Sequence, residues 1–252
     1  MKRTALITGG GKRIGAAITR AFADAGWHAV IHCNSSGREA EALAATLPSA
    51  EVVQCDLSRP GAGVTMIAQL AERLEDWRVL VNSAAIFPPD DAEQLEPEVF
   101  SETMQVNAKA PVEMAQTFLA RAHSRGGKRV IQLTDQKLAN PNPDFFSYTI
   151  SKHAIAASVP MMAMAGEPGS RVYALAPGAI LASHDQSPAE AEVSHRLNLL
   201  ERRTSAAEVA EAALFLAEGW LESGQTLFVD SGQSLLRQPR DVLYLARKEE
   251  RP

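Results

Sequence analysis

Tyr148 and Lys152 stand four residues apart, and Asp135 lies thirteen residues before the tyrosine. On a helix, residues i and i+4 share a face, so a phenol and an ammonium at this spacing can converge on one point in a cleft. An ammonium beside a phenol favours the phenolate, which would bring a group of ordinary pKa ~10 toward proton exchange near neutral pH. Tyr148 is therefore the candidate acid and Lys152 its partner. The same spacing also arises by chance on helix surfaces, so the surrounding elements have to decide between the two.

Composition narrows the possibilities. A chain of 252 residues, 46% hydrophobic and 22% charged, has the make-up of an ordinary globular protein and is long enough for one large α/β domain spanning 1–252. The net charge of -5, with Lys and Arg scattered, gives no footprint for nucleic acid, and a small-molecule ligand is expected instead. No run approaches the ~18 apolar residues of a membrane span, and the opening MKRTALITGG is too short for a signal-peptide core. Cys33 and Cys55 each end a predicted strand without C-x-x-C spacing, which suggests free thiols in a reducing, cytoplasmic compartment. The six histidines form no metal-like cluster, and His184 and His195 read as solvated residues of a loop.

Regular alternation supplies the positioning elements. TALIT runs into GGGKRIG and then an alanine-rich helical pattern ending at Gly26, the strand, glycine turn and helix of a phosphate-binding unit. Gly9, Gly10 and Gly11 permit a tight turn, Gly15 permits close packing, and the helix start offers amides to a pyrophosphate; a plain glycine turn is the competing reading. The strand HAVIHC then ends without the acid that would take the ribose hydroxyls of NAD. Asn34, Ser35 and Ser36, with Lys12, Arg13 and Arg38 nearby, favour a 2'-phosphate and hence NADPH, although a serine here also suits a helix N-cap. Helix 39–47, strand 51–55, helix 63–76, strand 78–82, helix 111–122, strand 128–133, strand 171–176, helix 206–217 and strand 226–229 predict a single-domain, Rossmann-type, doubly wound parallel sheet of about seven strands with helices on both faces. Pro160 should kink or shorten the helix that carries Tyr148, and the polar stretch at about 178–205, with an amphipathic helix inside it, is expected to be a substrate loop.

These residues resemble the short-chain dehydrogenase/reductase family, with matches in order from Thr8 to Gly232. T-G-x-x-x-R-x-G is similar to its T-G-x-x-x-G-x-G cofactor motif, with Arg13 in place of a glycine, and VNSAA is similar to its N-N-A-G. The resemblance implies cofactor contacts from Gly9, Lys12, Arg13, Ile14 and His32, from Asn34, Ser35 and Ser36, and from Asp56 and Leu57 at the adenine. It implies further contacts from Asn82, Ser83 and Ala84, from Tyr148 and Lys152, and from Pro177 and Gly178 near the nicotinamide. In the catalytic set, Asn107 would support a water beside Lys152, and Asp135 stands where the family usually has serine. A homotetramer is also implied.

Arg13, that aspartate, and Phe87 five residues past Asn82 together resemble the pteridine and dihydromonapterin reductases. The implied substrate contacts are Arg13, Phe87 stacked on a pterin, Asp135 and Tyr148. A carboxyl suits an amino-pyrimidine edge and can relay a proton to a ring nitrogen, whereas a serine suits a ketone oxygen. An aspartate making a turn and a phenylalanine tucked into the core are the plainer alternatives. A carbonyl or alcohol reductase and a non-catalytic NADPH-binding sensor stay open as competing functions.

Overall fold

The computed structural model describes residues 2–182 and 186–247, and His184 lies outside them. Seven parallel strands form one sheet in the order β3-β2-β1-β4-β5-β6-β7. They are β1 (Thr4–Ile7), β2 (His28–Cys33), β3 (Ala50–Gln54), β4 (Trp77–Asn82), β5 (Arg129–Leu133), β6 (Arg171–Pro177) and β7 (Thr226–Val229). Chain order reverses between β1 and β4, and in such sheets the crevice beyond the strand C-termini at that point receives ligands.

The central strands are apolar on both faces because both are covered. Leu6, Leu80, Val130 and Val172 pack with Ile67, Met114, Phe118 and Val159 of α3 (Ala62–Arg73), α5 (Ala110–Arg121) and α6 (Phe146–Ala165). Ile7, Val81, Ile131 and Leu175 point the other way, onto Ile18 and Phe22 of α1 (Arg13–Asp24) and Val209 and Leu216 of α8 (Ala206–Glu218). Each such side chain contributes about 1.5–3 kcal/mol relative to exposure.

Three departures from the expected elements concern the site. A helix α4 (Pro97–Met104) precedes a π-helical turn, Gln105–Lys109, that leads straight into α5. Among its residues only Thr103 is buried, so α4 carries no apolar stripe for a sequence reading to find. The helix carrying Tyr148 runs past Pro160 to Ala165, because Pro160 is exposed and Ala156, which loses its N–H partner to the ring, is only half-buried. Beyond β7 the chain adds an unexpected helix α9 (Val242–Arg247), while the helix expected after β6 is α7 (Pro188–Ser194), opened by a capping box from Ser187 and Glu190. α2 (Gly37–Ala44) lies between β2 and β3 in the chain.

Candidate active site

The glycine turn is shaped by close approaches. A Cβ on Gly15 would lie 2.2 Å from the Gly9 carbonyl oxygen, and one on Gly10 would lie 2.8 Å from that of Ile7. Gly9 itself has φ +62. Lys12 occupies the N-cap of α1 and makes no side-chain capping bond, so its side chain does not cap the first amides of that helix. Such a cradle, with bare backbone and an uncapped helix start, fits a pyrophosphate. It opens into a cavity of about 890 Å³ that reaches from Gly9 and Ser35 past Asp135 to Leu243.

Two side chains brace the turn from below. His32 Nδ1 accepts from the Gly9 N–H at 3.2 Å, and Nε2 lies 3.0 Å from the Cys55 carbonyl, so the imidazole is neutral with its proton on Nε2. Burial pushes its pKa below the ordinary histidine value. Thr8 Oγ1 accepts from the backbone N–H groups of Ser83 and Ala84, both at 3.0 Å, which ties β1 to the end of β4.

Arg13 departs from the expected picture in a revealing way. Its backbone has φ 53, a conformation natural to the glycine it replaces and strained for arginine. Its guanidinium donates to the carbonyls of Ala182 at 3.0 Å and Leu181 at 3.3 Å, so it links the glycine turn to the loop after β6. Lys12 is paired with Glu39 at 2.7 Å, and Arg38 does not line the cavity. The expected cluster of three cations is therefore dispersed: Asn34, Ser35 and Ser36 line this end, and Ser36 sits at the N-cap of α2 without a side-chain cap bond.

At the other end the three residues of the sequence reading come together. Tyr148 Oη donates to Asp135 Oδ2 at 2.9 Å, and Lys152 Nζ lies 5.4 Å from the centre of the tyrosine ring. The expected phenolate is overturned. Burial, and after it the Asp135 charge that accepts the phenol's hydrogen bond, holds the Tyr148 pKa well above that of a free phenol. Lys152 turns its Nζ to the Leu133 carbonyl at 2.8 Å, and burial lowers its pKa to about 8 against the upward pull of Asp135. Asp135 is itself raised by burial, opposed first by the charge of Lys137.

The remaining positions divide by contact. Gly9, Lys12, Arg13, Ile14, His32, Asp56, Leu57, Ser83, Ala84, Phe87, Pro177 and Gly178 line the cavity, whereas Asn82 and Asn107 do not. Asn82 lies beneath the sheet end, where its Nδ2 donates to the Pro111 carbonyl at 3.1 Å and to Gln132 Oε1 at 2.9 Å, so it anchors β4. The Asn107 side chain is fully engaged with the backbone of Ile86, at 2.8 and 2.9 Å, and with Ser151 Oγ at 3.2 Å. Asp56 accepts from Ser58 and pairs with Arg59.

Phe87 has one face covered. It stacks on Phe145 at 4.0 Å and meets Tyr148 edge-on at 4.5 Å. Its loop also caps α6 from outside, since Asp90 accepts the Ser147 N–H through both oxygens, at 3.2 and 3.0 Å. His195, expected to be solvated, is 2% exposed in the cavity wall, and burial lowers its pKa. Sequence reasoning missed Phe145 and Lys137, whose available signal was an aromatic pair and a charge flanking the Tyr148 stretch, and Asp241, which no local pattern marks. Among the described residues, no cluster of three or more His, Cys, Asp or Glu could hold a metal, and no helix is long and apolar enough to cross a membrane.

Residues 10–234 match the family model described as enoyl-(acyl carrier protein) reductase. The chain is 29% identical over 245 residues to the L-fucose dehydrogenase of Bos taurus, with 92% of this chain and 90% of that one covered. Its structure is similar to the FolM alternative dihydrofolate reductase 1 from Brucella canis complexed with NADP, with TM-score 0.87, 33% identity and 94% and 95% of the two chains covered. It is also similar to a short chain dehydrogenase from Burkholderia cenocepacia J2315 in complex with NADP, with TM-score 0.83, 26% identity and coverages of 92% and 97%.

Proposed function

The chain belongs to the short-chain dehydrogenase/reductase family, and from that premise we propose that it is an NADPH-dependent reductase of a dihydropteridine of the biopterin, monapterin or folate type. The observation that carries this reading is the bond from the Tyr148 hydroxyl to Asp135 Oδ2, with Phe87 at the edge of the same ring. NADPH bound along the glycine turn would supply a hydride to the substrate carbon.

The chain's own residues would do the rest. The cradle of Gly9 to Gly15 and the start of α1 would hold the pyrophosphate, while Asn34, Ser35 and Ser36 would accept a 2'-phosphate that an acid there would repel. Asp56 and Leu57 lie at the adenine end, and Pro177 and Gly178 lie at the nicotinamide end. Gly178 has no room for a side chain, since a Cβ would lie 2.8 Å from Gln233 Oε1. Asp135 offers carboxylate oxygens to the N–H donors of an amino-pyrimidine edge, which a serine hydroxyl could not match. Tyr148, kept as the neutral phenol, holds a proton at Oη for a ring nitrogen next to the reduced carbon, and Asp135 returns one from water. Lys152 places its cation behind the phenol. Asn107 holds Ile86, and with it the Phe87 loop.

The Brucella canis protein, a dihydrofolate reductase by description and bound to NADP, supports both substrate class and cofactor. A second reading, a dehydrogenase or reductase of sugars or ketones, is favoured by the L-fucose dehydrogenase relative. Following NADPH absorbance with dihydrobiopterin, dihydrofolate, L-fucose with NADP, and a panel of ketones separates the two. Turnover confined to sugars or ketones would replace the pteridine reading.

A further inference from the structure

Asp135 is followed directly by a 3-10 turn, Gln136–Leu138, which its carboxylate caps. Oδ1 accepts from the Lys137 N–H at 2.8 Å, and this fixes the rotamer that leaves Oδ2 for Tyr148. Lys137 is only 3% exposed although it bears a charge. Its ammonium turns away from the turn and lies 2.7 Å from Asp241 Oδ2, 3.1 Å from the Asp144 carbonyl and 3.3 Å from Asn142 Oδ1, over the ring of Phe145 at 5.1 Å. Asp241 arrives from the far end of the chain. Its own N–H donates to Asp144 Oδ2 at 2.7 Å, Arg240 Nε reaches the same carboxylate at 2.9 Å, and its Oδ1 accepts from the Leu243 N–H at 3.0 Å. Asp241, Val242 and Leu243 then line the cavity.

We propose that Lys137 is a positioning residue for the Asp135 and Tyr148 pair, held in place by Asp241 of the C-terminal segment, an assignment that rests on Asp135 acting as the proton relay. A buried ion pair in a cavity wall is seldom worth more than apolar packing of the same volume, so a role in setting charge accounts for it better than stability does. The charged and titratable groups facing Asp135 are Lys137, Lys152 and Tyr148, and those facing Tyr148 are Asp135, Asp241 and Lys152. Lys137 is the strongest influence favouring the ionised carboxylate, and Asp241 acts on Tyr148 in the opposite sense, toward the neutral phenol. The ion pair thereby keeps two hydrogen-bonded partners in opposite protonation states, an acceptor beside a donor. It also bolts the turn that carries Asp135 to residues 240–243.

Carboxyl-carbon NMR titration of the full chain labelled in aspartate tests this, with the Asp135 signal identified by its loss in Asp135→Asn. Removing both charges in Lys137→Met/Asp241→Asn avoids a stranded anion, and the Asp135 midpoint should rise by about one pH unit or more. Lys137→Arg should stay near wild type, and Asp241→Asn alone should lower the midpoint. The acidic limb of dihydropteridine turnover should move in the same direction while NADPH affinity, read by fluorescence, stays constant. An Asp135 midpoint unmoved in both the double variant and Asp241→Asn would overturn the assignment. The titration needs no substrate, so a wild type that ignores dihydropteridines defeats the proposed function and leaves this readout intact. Pterin turnover with an unmoved midpoint defeats Lys137 alone.

Discussion

At Tyr148 burial, and after it the Asp135 charge, holds the phenol neutral. The sequence supplies spacing, and spacing places Lys152 on the right face of α6; it cannot supply the direction of a flexible ammonium, which goes to the Leu133 carbonyl while Asp135 takes the phenol's hydrogen bond. Lys152 then titrates near pH 8. If its cation is needed behind the phenol, kcat/KM for the free enzyme should fall as pH rises through about 8, and Lys152→Arg should push that limb beyond the measurable range. The stability sign is opposite. A lysine whose folded pKa lies below 10.5 binds fewer protons folded than unfolded between pH 8 and 10.5, so stability rises over that window and Lys152→Met should melt higher than wild type at pH 7. Arg13 presents a similar trade. Arg13→Gly relieves a left-handed arginine, which costs of order 1 kcal/mol, so the melting temperature should hold or rise while KM for the pterin increases about tenfold. Lower stability with unchanged KM would remove Arg13 from the site.

Among the elements, β2 and β7 were legible to the residue because each is a compact apolar run bounded by turn residues. Helix α4 and the π-helical turn were not, since neither has an apolar period, and it is this turn that presents Asn107 to the Phe87 loop. The expected substrate stretch at 178–205 does contain a helix, α7, and His195 just beyond it is buried where a polar loop residue was expected. Burial of histidine has a measurable consequence at His32. Its folded pKa is depressed, so below 6.5 the unfolded chain binds more protons than the folded one, and stability is lost as pH falls from 6.5 toward the folded value. Protonation would also put a second N–H against the Gly9 amide. Wild type should therefore lose more melting temperature between pH 7 and pH 5 than His32→Gln does. Equal losses would show that His32 carries no such linkage.

For the whole molecule, a parallel sheet covered on both faces follows from alternation, whereas the reversal of strand order beside β1, which opens a crevice at the C-terminal edge, is seen in the structure. What alternation cannot convey is which distant segment closes that crevice. Residues 240–243 reach Asp144 and Lys137 through ion pairs between positions about a hundred apart, and no local pattern announces such pairs. The cavity consequently has one end read from glycines and another built by tertiary contact, with Asp135 between Gly9 and Leu243 in its lining. The most direct measurement is therefore the initial rate of NADPH oxidation with dihydrobiopterin by wild type, Asp135→Ser and Asp135→Asn, alongside NADPH binding. Both variants should lose about 10² or more in kcat, as expected when positioned proton transfer is removed, with NADPH affinity within about twofold. Dihydropterin turnover by Asp135→Ser and Asp135→Asn at the wild-type rate from pH 5 to 8 would contradict the account and make the aspartate a turn residue.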